Sequence, residues 1–566
     1  MLTGIFTSDN NEKRACRAHG WKVKMQDNAN LAVLVVDPNP GMRTSLQNML
    51  NQAGIPKVEY AINANTAIRQ LGRRAYDIIL CEYDLASGSG EGQDGQELLE
   101  DLRHHKLISA STIFIMLTSE GVYGKVVSAA ELAPTDYILK PFTADMLGGR
   151  IKRALERRVA LLPAWQQAAQ GRLRDAIRSC GQGEKSHPRL ALDFARLRAD
   201  LHTALNEHGE AASVYREVLS ERPLGWAGLG LARTMVAQGR MDEARATLEQ
   251  LIEGNPRLMA AYDLLARCFE AGGELAAAQK VLEGAVAVSP YVVRRLRKLG
   301  EVALEAGDLD AAEKNFRQVV TKARYSEFRN PEDHVNLVKA LVHRGDVLQA
   351  GNVIRDLERA LRGNPNADAC KAYSSALLND KAGNPAAAVG DLMAAVGAVR
   401  GSSGLSSNLK LGLARACLAH RLDEQASDVM LTVMNDVGSG VSVDQAIGVF
   451  VKAGRPDLAD GMGQQLKAQA QILLGVADEK RNMGDVRGAV QTLLEALHMA
   501  PNNLQVIVAV AGGILRQVNE LGWDHQLGEV FAEQLHKIHA YDPRHPRLGA
   551  LAEEFAAAKR KYGIST

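Results

Sequence analysis

Gly239, Gly273 and Gly307 are spaced by 34 residues, and the same step relates Ala244, Ala278 and Ala312, then Leu248, Leu282 and Phe316, then Pro256 and Pro290. Leu231-Ala232, Leu265-Ala266 and Leu299-Gly300 keep the step as well. A period of this length with helical spacing inside it describes a unit of two helices. Such a unit is too small to bury its own apolar face, so the units must stack on one another. The residue types fit that task. Small side chains let the two helices of a pair approach, Gly permits the tight turn between them, and Pro ends the second helix.

Apolar-small pair, Gly turn, A-x₃-F-like spacing and terminal Pro together resemble the tetratricopeptide repeat, most clearly over residues 224–324. Beyond that block the register drifts but recurs, at Gly345-Asp346 with Ala350 and Ile354, at Gly383 with Ala388 and Leu392, and at Gly484-Asp485 with Ala489, Leu493, Ala496 and Pro501. Residues 187–223, 405–435 and 441–470 are weaker candidates, and 502–556 reads as a longer terminal pair. The expected architecture for residues 158–566 is an all-α superhelix of about nine to ten helix pairs. The resemblance implies a groove lined by the first helix of each pair, which binds an extended or helical segment of a protein partner. Counting positions places Trp226, Leu229, Arg233, Asp263, Arg267, Glu270, Arg294, Arg297 and Glu301 on that face. Arg233 and Arg267 are equivalent in adjacent repeats and would clamp a carboxylate-bearing partner. The interleaved acids allow the simpler reading of a mixed solvated face.

Before the repeats the pattern is different. Short apolar runs at Leu31 to Val36, Val58 to Ile62, Ile78 to Cys81, Ile113 to Leu117 and Tyr137 to Leu139 alternate with amphipathic stretches at 41–53, 64–73, 95–104, 121–131 and 143–158. This predicts an α/β doubly wound domain with a parallel sheet and helices on both faces. Residues 143–180 are expected to carry its last helix into the superhelix. In open parallel sheets the reactive groups collect at the carboxyl ends of the strands. Here those are Asp37-Pro38, Glu82, Thr118 and Lys140-Pro141.

These motifs (VVDPNP, YDIILCEYDL, DGQELLEDLR, IMLTSE and DYILKPF) resemble the response-regulator receiver family over residues 31–157, a flavodoxin-like fold. The resemblance implies two acidic residues after the first strand that help hold Mg²⁺, a phosphate-accepting Asp after the third, and a Thr or Ser and a Lys that bind phosphoryl oxygens. Asp37, Thr118 and Lys140 match, and Tyr137 matches the aromatic that reports the switch. Two departures fall on the chemistry. Pro38 stands where the second metal ligand would be, and Glu82 occupies the phosphoacceptor position. Mg²⁺ tolerates poor ligand placement badly, so Asp37 and Glu82 make a weak metal site at best. Glu82 also reaches on the order of an ångström further than Asp, enough to spoil an in-line attack.

The expectation is an atypical pseudo-receiver, with Glu82 either imitating the phosphorylated state through Thr118 and Lys140, leaving a docking surface, or simply solvated at a strand end. The rival reading is a true phosphorylation switch using Glu82, or Asp84 after a register slip, with Mg²⁺. The segment LASGSGEGQDG is longer than the usual turn and rich in Gly and Ser.

The 566 residues carry 67 Lys and Arg against 66 Asp and Glu, so a net charge of +1 offers no global attraction to nucleic acid or membrane. Six Cys without a CxxC pair argue against zinc and disulfides and fit a reducing cytoplasm. No stretch has the length and apolarity of a signal peptide or a membrane span. Residues 1–30 read as a polar N-terminal tail, in which Met25 is an alternative start. No nucleophile elbow, HExxH, P-loop or kinase set is present, so no catalysis and no cofactor are expected. The whole reads as a two-component signalling adaptor whose repeats bind a sensor kinase, another regulator or a signalling enzyme, with homodimerisation left open.

Overall fold

A computed structural model describes residues 28–85, 92–119, 135–323, 329–400, 402, 404–436 and 441–562. The expected helix over 121–131, Met25 and most of the Gly-Ser segment lie outside the described residues. The chain divides into two compact units, Met1–Arg329 and Asn330–Thr566.

The first unit begins with five parallel strands, β1 (Ala32–Val36), β2 (Lys57–Ala61), β3 (Ile78–Glu82), β4 (Ile113–Ser119) and β5 (Asp136–Lys140), in the order β2-β1-β3-β4-β5. Alternation splits their side chains between two cores. Leu34, Val36, Ile79, Cys81, Phe114 and Met116 face helices α2 (Ala64–Leu71) and α3 (Gly95–His104). Val33, Val35, Ile78, Leu80, Ile113, Ile115 and Leu117 face α1 (Pro40–Gln52) and α4 (Ala144–Ala169).

Helix α4 runs past the end of the sheet domain and through Pro163, so the expected boundary at residue 157 falls inside one continuous helix. Its outer half buries Leu161, Ala164 and Ala168 against the first repeats. Adjacent arginines hold the two sides: Arg158 donates to Asp77 at 3.1 Å, just before β3, and Arg157 to Asp193 at 2.6 Å, on the repeats.

The repeats of this unit are α5 (Leu173–Ser186), which pairs with the end of α4, then α6 (Ala191–Ala204) with α7 (His208–Glu221), α8 (Gly225–Ala237) with α9 (Met241–Gly254), α10 (Met259–Ala271) with α11 (Leu275–Val288), and α12 (Val293–Ala306) with α13 (Leu309–Lys322). Gly239, Gly273 and Gly307 turn each pair at φ of 76°, 76° and 82°, a region open to Gly without steric cost. A Cβ on Gly300 would come within 2.8 Å of the Phe316 ring, which is why that position is Gly where its equivalents are Ala.

The second unit continues the helical pairing with α14 (Pro331–Arg344), α15 (Val347–Ala360), α16 (Ala367–Lys381), α17 (Pro385–Arg400), α18 (Ser407–Ala419), α19 (Asp423–Met434), α20 (Val443–Lys452), α21 (Pro456–Asn482), α22 (Val486–Met499), α23 (Leu504–Leu521), α24 (His525–Tyr541) and α25 (Leu548–Lys561). Helix α21 is 27 residues long and packs against both α20 and α22. Asp346 and Asp485, which follow turn glycines, accept from backbone N–H groups of Gln349 and Gly488 and so cap the second helices of their pairs.

Candidate functional site

Two clusters of buried charge in the first unit bear on the sheet domain. The first is the carboxyl edge of the sheet. Asp37 is 1% exposed, accepts from the Asn39 amide at 2.8 Å, and lies 3.5 Å from Lys140 Nζ. The same ammonium forms an ion pair with the Glu82 carboxylate, whose other oxygen accepts from the Asp84 amide at 3.1 Å. Thr118 is fully buried at the end of β4 beside them in the sheet, Tyr137 is half-buried on β5, and the Lys140–Pro141 peptide is cis. Asp84 is exposed and lies beyond the end of β3.

The sheet therefore brings Asp37, Glu82 and Lys140 together. These residues do not fit Mg²⁺: Pro38 offers no side-chain donor, and the Lys140 ammonium already pairs with both carboxylates. Among the described residues no cluster of three His, Cys, Asp or Glu side chains has the arrangement of a metal site.

Tyr83 links this edge to the second place. Its backbone carbonyl accepts from the Gly95 amide at 2.7 Å, which starts α3, and its hydroxyl accepts from Arg257 Nη1 at 3.0 Å, in the turn between α9 and α10. Burial and the neighbouring Asp94 push the Tyr83 phenol up to about 12, against the pull of Arg257. Gly95 is required where it stands, since a Cβ there would lie 2.6 Å from the Glu82 carbonyl and 2.7 Å from Met116 Sδ.

Helix α3 is buried nearly all round. Leu98, Leu99 and Leu102 enter the sheet core, while Glu97, Glu100 and Asp101 are buried as well. Glu97 Oε1 accepts from Ser289 Oγ at 2.8 Å and from the Tyr291 amide at 3.1 Å. Its other oxygen accepts from the Asp94 amide at 3.2 Å, closing a capping box at the start of α3. Glu100 Oε2 lies 3.1 Å from Arg295 Nη2 and 3.5 Å from Arg294 Nη2. Arg295 is 1% exposed and also forks onto Asp263, at 2.9 and 3.1 Å.

Burial followed by Asp94 repulsion pushes the Glu97 carboxyl up to about 7, against the Ser289 and Tyr291 donors. Burial raises Asp263 too, but Arg295, Arg294 and Arg267 outweigh it and hold that carboxyl below its ordinary range. His105 is lowered to about 4 by burial, by His104 and by Arg294 and Arg297.

Six of the groove residues expected from the repeat register fall into four settings. Arg294 and Arg297 lie toward α3. Arg233 lies near Asp200, and Arg267 near Asp263, so each opposes an acid of the array itself. Trp226 is partly buried, with its ring 6.3 Å from Tyr215 and Arg196 over it at 5.4 Å. Leu229 is a correction: it is fully buried among Leu258, Ala261 and Leu264, because its side chain packs between neighbouring pairs.

Residues 33–152 match the response regulator receiver domain family, and residues 164–225, 202–268 and 270–327 match tetratricopeptide repeat families. Chemotaxis protein CheY-3 of Vibrio cholerae is 27% identical over 130 residues, covering 23% of this chain and 95% of that protein. Chemotaxis protein CheY of Pseudomonas aeruginosa is 26% identical over 127 residues, covering 22% of this chain and 98% of that protein. The solved structure of YrrB, a TPR protein with an unusual peptide-binding site, is 14% identical and covers 33% of this chain and 93% of its own, at a TM-score of 0.28. That overlap adds nothing to the repeat spacing itself.

Proposed function

Starting from a chain in which residues 33–152 are a receiver domain and the helices that follow carry tetratricopeptide repeats, we propose that this protein is a response-regulator-like adaptor. Its repeats bind a protein partner, and its receiver works without phosphorylation. The observation that carries this reading is the pairing of Lys140 with both Glu82 and Asp37 beside Pro38. A phosphoryl group at this edge needs a metal to screen its charge, and the donor set for that metal is incomplete. The Glu82 carboxylate takes up the lysine that would otherwise meet a phosphoryl oxygen, which supports the mimicry of a phosphorylated state over a solvated strand end. Asp84 is a poor substitute acceptor, since it lies past the strand and only its amide faces Glu82.

The chain acts in the cytoplasm as a binding protein rather than an enzyme, and its partner is a sensor kinase, another regulator or a signalling enzyme. No described helix is long and apolar enough to cross a membrane. Incubation with acetyl phosphate and Mg²⁺, followed by intact-mass measurement, tests the reading. The expected result is an unchanged mass, and a gain of one phosphoryl group overturns it.

A further inference from the structure

Glu97, Glu100 and Asp101 are each no more than 5% exposed, although they lie on the side of α3 turned away from the sheet. Burying a carboxylate costs several kcal/mol unless it is paired and hydrogen-bonded, so an outward acidic face is normally left in water. For Glu97 and Glu100 the compensation comes from far along the chain: Ser289, Tyr291 and Arg295 are 192, 194 and 195 positions from the acids they meet, whereas Asp101 accepts locally from Gln93. These groups form one surface, the turns where the second helix of a pair passes to the first helix of the next, at Arg257 and at Ser289–Tyr291, plus the first turn of α12. Arg295 is set for its role before α3 arrives, since the Asp263 fork fixes the guanidinium plane and leaves Nη2 directed at Glu100.

We propose that Arg257, Ser289, Tyr291, Arg294 and Arg295 form a recognition seat for an acidic helix, held closed in this chain by the receiver's own α3, so that a protein partner presenting such a helix competes with the receiver. This rests on the reading of the repeats as a binding region and adds the chemistry of the partner. The seat reads two positions one turn apart. The first, matched by Glu97, meets a hydroxyl and a backbone amide and needs an acceptor. The second, matched by Glu100, meets two guanidinium groups and needs a full negative charge. A neighbouring phenol matching Tyr83 would engage Arg257. The tethered α3 is present at an effective concentration on the order of millimolar, so a free helix of equal intrinsic affinity is largely excluded until α3 leaves.

The test uses the full chain and a helix-stapled, fluorescent peptide of residues 93–106 as the probe. Glu100→Lys sets a cation against Arg294 and Arg295 while leaving the seat intact. The expected result is at least tenfold tighter peptide binding than to the unmodified chain, together with faster amide exchange over residues 289–295. A peptide with Lys at the position of Glu100 should not bind. Far-UV circular dichroism checks that the variant is folded, and adding Arg294→Glu to Glu100→Lys should restore slow exchange by reversing one ion pair. Equal peptide binding by the unmodified and Glu100→Lys chains, or exchange over 289–295 that does not change, overturns the proposal. These outcomes are independent of the acetyl phosphate experiment, so either idea can fail alone.

Discussion

Arg257 donates a hydrogen bond to the Tyr83 hydroxyl at 3.0 Å across 174 positions of sequence, and Tyr83 directly follows Glu82. One residue thus separates the phosphoacceptor position from a contact to the repeats. Any movement of the β3 end that turns Tyr83 is felt in the loop between α9 and α10.

Tyr83→Phe keeps the ring and removes the hydroxyl. Arg257 and Asp94 then each lose a hydrogen bond to that hydroxyl, and the first unit should lose about 1.5–3 kcal/mol of stability. Chemical denaturation followed by hydrogen exchange at residues 255–258 checks both the size and the place. An unchanged exchange rate there would show that the contact carries no weight in solution.

The contact of α3 with the repeats should weaken as pH rises. The folded-state pKa of Glu97, about 7, lies above the ordinary value of 4.5, so the native form holds its proton where the unfolded chain has released it. Stability therefore falls as pH climbs from the ordinary value towards 7 and levels off above it, by a few kcal/mol at most. Comparing denaturation midpoints between about pH 5 and pH 8 tests this, since Glu97→Gln should make the profile shallower, while Asp94, Glu100 and Asp101, whose carboxyls burial also raises, keep part of the slope.

Lys140→Ala leaves Asp37 and Glu82 facing each other without their shared cation. Uncompensated burial of this kind costs about 3–5 kcal/mol, so a clear fall in the melting temperature is expected. Glu82→Gln removes one charge instead and leaves Lys140 with Asp37, so its fall should be smaller. A melting temperature equal to that of the unmodified protein for Lys140→Ala would mean that water, not the ammonium, stabilises these acids.

Gly95→Ala places a methyl group 2.6 Å from a carbonyl oxygen of the sheet, which cannot rotate away. A cost of about 1–3 kcal/mol follows from overpacking. Because α3 must shift outward to relieve the clash, the variant should also show faster exchange at Ser289–Tyr291, a region it does not touch.

The sheet and the strongest repeats were legible because their periods are local. Alternation at Leu31 to Val36 and the step from Gly239 to Gly307 need no knowledge of the rest of the chain. The weaker repeats at 187–223 and 405–435 were faint for a physical reason. Their turns place Asn206 and Arg421 at φ of 55° and 58°, the conformation that elsewhere recruits Gly, so the usual marker is missing. Asp37 and Lys140, which the sheet brings together with Glu82, could be found from motifs at strand ends.

The seat could not. Arg294 and Arg297 were placed on a binding face by register, but Arg295, one step around the helix, reaches Glu100 only because two distant helices meet. In the sequence, Glu97, Glu100 and Asp101 opposite Leu98, Leu99 and Leu102 look like an ordinary amphipathic helix with a wet face. Their burial is a property of the assembled first unit.

Helix α4 carries the chain out of the receiver, and Arg257, Ser289 and Arg295 bring it back. The repeats between them form a closed circuit whose two ends are both fixed to one domain, so their number works as a ruler. Deleting or inserting one 34-residue unit between α4 and α10 would leave every helix pair with an acceptable neighbour yet carry the arginines a full repeat away from Glu100. For this stretch of an otherwise extendable array, geometry sets the length.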